Sequence, residues 1–157
     1  VERSDKSTLG AIRAKGDSMK SRTSELELRD LGYDAWPTRP DLKQRATCNV
    51  PAETRLRYVV LRGKEEVAFL SFDLIPTWDF LVLYEMYVAK PFRRQGIGTQ
   101  ILDLADDIAR RHGRKSVVHT VGAPLDSDIS HKKLVQYFLD RGFQRTRRAR
   151  NSLERFV

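Results

Sequence analysis

From Phe80 to Val88 the chain reads F-L-V-L-Y-E-M-Y-V, apolar or aromatic at each position except Glu85. A nine-residue run without polar alternation predicts a central strand covered on both faces. After it, Ile97, Ile101, Leu104, Ala105 and Ile108 recur at helical spacing. They predict a helix to about His112, stopped at Gly113. Upstream, Arg57 to Arg62 is β-branched and aromatic, Gly63-Lys64 is a turn, and Glu65 to Asp73 is a second strand, so the pair predicts a hairpin. Downstream, Ser116 to Val121 predicts another buried strand and Gly122 to Asp128 a loop. Asp128 or Ser130 then caps a helix with Leu134, Val135, Phe138 and Leu139 on its apolar side, ending at Gly142. Phe143 to Arg148 and Ser152 to Val157 predict a terminal hairpin.

Before Thr54 the pattern thins. Ser24 to Leu31 alternates around Leu26 and Leu28, which fits a short strand. Gly32 to Pro40 is rich in turn residues, with Trp36-Pro37 and Arg39-Pro40, and Asp41 is the expected cap of a short helix to about Cys48. In Val1 to Arg22, Leu9, Ile12 and Met19 can share a helix face, but Gly10 and Gly16 weaken it. Residues 1–22 are therefore read as an arm or peripheral helix, and 23–157 as one domain. The order of elements predicts a mixed α/β sheet, mostly antiparallel, with six to seven strands flanked by helices. A length of 157 residues suits one such domain.

Composition narrows the function classes. No apolar run is long enough to span a membrane, and Val1 to Lys20 is too polar for a secretory signal. Cys48 is the only cysteine, so no intrachain disulfide forms and a reducing, cytoplasmic setting is the default. With His112, His119 and His131 as the only histidines, metal catalysis is not expected. The formal charge of +8 favours anionic partners such as nucleotide phosphates, nucleic acid or acidic proteins, against the plainer reading of a solvated basic surface.

The informative stretch is Tyr84 to Leu102, Y-E-M-Y-V-A-K-P-F-R-R-Q-G-I-G-T-Q-I-L. A buried strand ends, a glycine-containing loop follows, and a helix begins. Helix N-termini carry unpaired N–H groups and the positive end of a dipole, which suits phosphate. Gly96 and Gly98 let a ligand approach the backbone, and Arg93 and Arg94 add positive charge beside it. The third glycine of a dinucleotide fingerprint is missing, as is the Gly-Lys-Ser/Thr of a P-loop.

Arg93-Arg94-Gln95-Gly96-Ile97-Gly98 resembles the R/Q-x-x-G-x-G/A signature of the GNAT superfamily of N-acetyltransferases. Glu85 to Val88 before it, the helix after it, and Leu134 to Phe143 ending in D-R-G-F also look like that family. The resemblance covers roughly Arg57 to Val157 and implies a GNAT-like fold. It implies acetyl-CoA as cosubstrate, its pyrophosphate on the main-chain amides of Arg94, Gln95, Gly96, Ile97, Gly98 and Thr99. Its pantetheine arm would lie along Met86, Tyr87 and Val88, as a peptide adds to a sheet edge. His131 stands where many members have an Asn that contacts this arm. The implied activity is acetyl transfer to a primary amine by direct attack in a ternary complex. Rival readings are a toxin-type enzyme acting on aminoacyl-tRNA and a non-catalytic acyl-CoA sensor. A homodimer is compatible with either.

For catalysis, Glu85 is the expected base, as the one charged residue of its strand. The expected acid is Tyr137, although family members place the Tyr five residues before the Phe of the late G-F, where this chain has Phe138. His119 is expected either to face the cleft or to be a satisfied core histidine. The arginines of Gln144 to Arg150 suit an acidic or phosphate-bearing acceptor if the last hairpin lines the acceptor side, and otherwise protect an edge strand.

Overall fold

The computed structural model describes residues 18–20, 25–49, 51–122 and 129–157. Eight strands among these residues form one sheet. In chain order they are β1 (Ser18–Lys20), β2 (Leu26–Asp30), β3 (Arg55–Arg62), β4 (Glu65–Asp73), β5 (Phe80–Val88), β6 (Ser116–Thr120), β7 (Gln144–Arg145) and β8 (Ser152–Phe156). The helices are α1 (Pro40–Thr47), α2 (Ile97–Arg111) and α3 (His131–Leu139), with a 3-10 turn at Lys90–Phe92. Strand order across the sheet is β1-β2-β3-β4-β5-β6-β8-β7. Each neighbouring pair is antiparallel except β5 and β6, which are parallel. That mixed, mostly antiparallel arrangement is the expected one, with the three-residue β1 added at the edge.

The expected N-terminal arm falls outside the described residues apart from Ser18–Lys20, which pair with β2 as a strand and not as a helix. Most of the loop expected over Gly122 to Asp128 also falls outside them.

The sheet is covered on both faces, and hydrophobic spacing decides by what. Ile97, Ile101, Leu104, Ala105 and Ile108 put one stripe of α2 against Leu70, Phe72, Leu81 and Leu83, with Phe138 of α3 in the same core. On the other face, Leu42 and Ala46 of α1 pack with Val59 and Phe69. β4 lies between these layers and is buried from Glu66 to Phe72. β5 departs from the expected doubly covered strand. Leu81 and Leu83 are buried, but Tyr84 is 51% exposed and Glu85 to Val88 are only partly buried. The reason is topological: beyond Val82, β6 no longer pairs with it.

The start of α1 also departs from expectation. Arg39 is the N-cap, with no side-chain cap, and Pro40 opens the helix, where its missing N–H costs nothing. Asp41 lies inside the first turn, where Oδ1 accepts from Arg39 Nε at 2.7 Å and Leu42 N at 2.9 Å. The chain leading into α1 is held from the sheet by Glu66 of β4. Its carboxylate accepts from Thr38 N at 2.8 Å, Arg39 N at 2.6 Å and the Arg29 guanidinium at 2.6 Å. Buried Arg57 of β3 assists, donating to Gly32 O and Tyr33 O beneath the Trp36 ring.

Candidate active site

The site begins where the sheet splits. β5 and β6 pair at Phe80 with Ser116, Leu81 with Val117 and Val82 with Val118, then diverge. On its other side β5 stays with β4, but the register shifts: Ser71 faces Glu85 while Phe72 faces Leu83. Tyr84 is therefore the extra residue of a bulge, a device that bends a strand and re-aims its side chains. The split opens a cavity of about 920 Å³, bordered by Tyr84 to Val88, the first turn of α2, the end of β6, α3 and the last turn of α1. That volume falls in the range of small-molecule sites.

At one end lies the loop from Arg93 to Gly98. Arg93 Nε donates to Val88 O at 2.9 Å and its guanidinium lies over Tyr87. Gln95 turns away from the cavity, accepting from Arg62 at 2.7 Å and donating to Pro91 O at 3.2 Å, so it buckles the loop to β3. Arg94 at φ 61° and Gly96 at φ 76° are both left-handed. Alternating handedness in a loop turns successive N–H groups toward one side, which makes an anion cradle. Gly96 is the N-cap of α2 and no side chain caps the helix. The first-turn amides thus face the cavity without a side-chain acceptor.

α3 closes this end. A Cβ added at Gly98 would meet the Tyr137 hydroxyl at 2.5 Å, so Gly98 is the residue that lets Tyr137 approach. Arg141 stacks on the Tyr137 ring at 3.5 Å and donates to Thr99 Oγ1 at 2.9 Å. Tyr137 therefore borders the cavity with its hydroxyl beside the first turn of α2. Its ring also meets Phe138 edge-on at 5.5 Å, and Phe138 in turn packs on His119 at 4.7 Å.

The other end is built by α1. Arg45 donates to Glu85 Oε1 through Nε at 2.7 Å and NH2 at 2.5 Å, and Asn49 Nδ2 donates to Oε2 at 2.6 Å. Glu85 borders the cavity with its carboxylate fixed in this ion pair. Arg55 is held by Asp73 at 2.9 Å and covers the Tyr84 ring at 4.0 Å. Of these residues only Glu85 was singled out from sequence. Arg45 and Asn49 stand four apart and share a side of the chain leaving α1, but nothing local ties them to a carboxylate some 40 residues on.

At the split itself, His119 is both things the sequence offered. It borders the cavity, and its Nδ1 bonds Leu83 O at 2.7 Å while the ring packs on Phe138 at 4.7 Å. Burial pushes its pKa below the ordinary 6.5, although the hydrogen bond to Leu83 pulls the other way.

Two candidate elements lie off the cavity border. His131 does not border the cavity; it is exposed and its Nε2 bonds Val121 O at 3.1 Å, tying α3 to the end of β6. The terminal hairpin does not border it either among the described residues. Arg148 is held by Glu154 at 2.9 Å and Asp79 at 3.3 Å and lies over Phe80, at the start of β5, the end away from the phosphate loop.

The described residues contain no metal-binding cluster, and no described helix is long and apolar enough to cross a membrane. The chemistry on offer is an anion cradle, a strand edge without a neighbour, and a fixed carboxylate, in that order along one cleft.

Residues 22–130 match the model of the acetyltransferase (GNAT) family. No curated protein sequence matches the chain. Among solved structures the chain is similar to a GNAT family acetyltransferase from Elizabethkingia anophelis with acetyl-CoA bound. That match has 13% identity and a TM-score of 0.60 over 85% of this chain and 99% of that one. It is similar to an IAA acetyltransferase from Bacillus cereus, with 13% identity and a TM-score of 0.61 over 84% and 99%. It is also similar to a PaiA N-acetyltransferase from Thermoplasma acidophilum in complex with coenzyme A. There the identity is 15% and the TM-score 0.52 over 73% of this chain and 66% of that one.

Proposed function

The chain belongs to the GNAT family of acetyltransferases, and on that premise we propose that it moves an acetyl group from acetyl-CoA to a primary amine by direct attack in a ternary complex. The observation that carries this reading is the uncapped N-terminus of α2 opening into the split between β5 and β6. A pyrophosphate answers the free amides of the first turn. The amide groups of a pantetheine arm answer the strand edge that β6 leaves at Met86 to Val88. Arg93 and Arg94 supply charge at the loop, and Tyr137 and Arg141 close over it from α3.

The thioester then lies toward the split, with the acceptor entering beside Glu85. A carboxylate offers about four acceptor positions. Arg45 and Asn49 use three, two on Oε1 and one on Oε2, which leaves one on Oε2 for an acceptor N–H. The amine nitrogen attacks the thioester carbonyl, its proton passes to Glu85, and the C–S bond breaks. The departing thiolate has a conjugate acid of about pKa 8.5, so it leaves without a dedicated acid and takes up a proton afterwards. Tyr137 lines the same cleft from α3, with its hydroxyl beside Gly98.

Two measurements test the reading. Calorimetry with CoA should give one site per chain, and thiol release from acetyl-CoA should depend on one member of a panel of amines. Absence of CoA binding overturns the assignment. Binding without release for any amine makes the chain an acyl-CoA sensor, and release only with charged tRNA makes it the toxin-type enzyme.

A further inference from the structure

β6 is flanked by residues that favour strand: Val117 and Val118 precede His119, and Thr120 and Val121 follow it. Nothing in this local preference stops β6 from pairing further along β5. The ladder nevertheless ends at Val82 and Val118. Leu83 and His119 are the next residues in register. There the His119 side chain, and not a backbone N–H, reaches Leu83 O through Nδ1 at 2.7 Å.

A carbonyl oxygen only accepts, so Nδ1 carries the proton and Nε2 holds a lone pair. The ring lies against Phe138, itself 1% exposed, and on its open side borders the cavity. Leaving a carbonyl unpaired at the margin of a core is unfavourable. A backbone N–H of β6, a side chain or a water can satisfy it, and here a side chain does.

We propose that His119 is the wedge that holds the sheet apart: by occupying the donor position at Leu83 O it ends the ladder there and keeps the edge of β5 free for a ligand. This rests on the reading that the slot takes the pantetheine arm of acetyl-CoA. His119 is thus a positioning residue. Burial keeps the ring neutral, so its single N–H stays committed to Leu83.

The test compares His119→Asn with His119→Val. Asparagine places an N–H near the position of Nδ1 and has no counterpart of Nε2. Valine has no donor and favours strand. His119→Asn should keep the parent's CoA affinity by calorimetry and its turnover at saturating acetyl-CoA. His119→Val should bind CoA roughly 10- to 100-fold more weakly, the range seen when a positioning partner is lost, with KM for acetyl-CoA rising more than kcat falls.

Parent-like affinity in His119→Val overturns the wedge. Turnover lost in His119→Asn with affinity intact also overturns it, because Nε2 would then be doing chemistry. If circular dichroism shows His119→Val unfolded, His119→Ala against His119→Asn decides in the same way. Nitrogen NMR of the parent imidazole, without any ligand, should show the proton on Nδ1 near neutral pH, and a proton on Nε2 overturns the proposal. If the parent binds no CoA the acetyltransferase reading falls, and this last measurement still decides the wedge.

Discussion

Single atoms carry the two sharpest expectations. Glu85→Gln keeps the size of the side chain and its bonds to Arg45 or Asn49 in part, but removes the charge that the proposed mechanism uses to receive the acceptor's proton. Turnover should fall by about 10²- to 10⁴-fold while CoA affinity stays near that of the parent. Steady-state kinetics beside calorimetry checks this, and near-normal turnover on the true acceptor makes Glu85 a purely structural partner of Arg45. Gly98 and Tyr137 form the second case. Gly98→Ala puts a Cβ 2.5 Å from the Tyr137 hydroxyl, so the tyrosine must move. With the hydroxyl removed, the nearest remaining atom is Tyr137 Cζ at 3.5 Å, an ordinary contact. Gly98→Ala alone should therefore cost on the order of 1 kcal/mol. Tyr137→Phe in the same chain should return most of it in a denaturant melt, a coupling the two single variants cannot produce separately.

Among elements, α1 is the one whose placement matters most to the cleft, since Arg45 and Asn49 reach Glu85 from its end. It is held less by its own cap than by Glu66. Burial alone would raise the Glu66 carboxyl, but the amides of Arg39 and Thr38 and the Arg29 guanidinium outweigh it and hold the pKa below the ordinary 4.5. A lowered folded value means the unfolded chain binds the proton more readily. The contribution is complete above about 4.5 and fades as pH falls through the lowered value. Glu66→Ala should lose about 1–3 kcal/mol near neutral pH, by leaving two backbone donors unpaired. The gap to the parent should narrow in melts well below pH 4.5, and a pH-independent gap would mean the loss is packing alone. Because α1 loosens, KM for the amine should rise while CoA affinity holds.

Across the whole molecule, sequence and structure divide by range. The strand at Phe80 to Val88, the stripe from Ile97 to Ile108 and the hairpin around Gly63 were legible because each follows from residue types and spacing within one segment, although the covering of β5 on both faces was not. So was the strand-loop-helix turn around Gly96 and Gly98, since its parts are consecutive in the chain. The start of α1 at Arg39 was misread because Asp41 is a good cap in isolation, whereas the chain before it is held by Glu66 from another element. The pairing of Glu85 with Arg45 and Asn49, the seat of Tyr137 against Gly98 and the bond from His119 to Leu83 join residues about 36 to 40 apart, and no period encodes them. By itself the sequence determined most of the strands and helices, because backbone hydrogen bonding and hydrophobic spacing are local. Only the tertiary structure decided that β5 and β6 part after Val82, what stands in the gap and which side chains face each other across it, because those outcomes depend on how separate elements compete for the same buried hydrogen-bond partners.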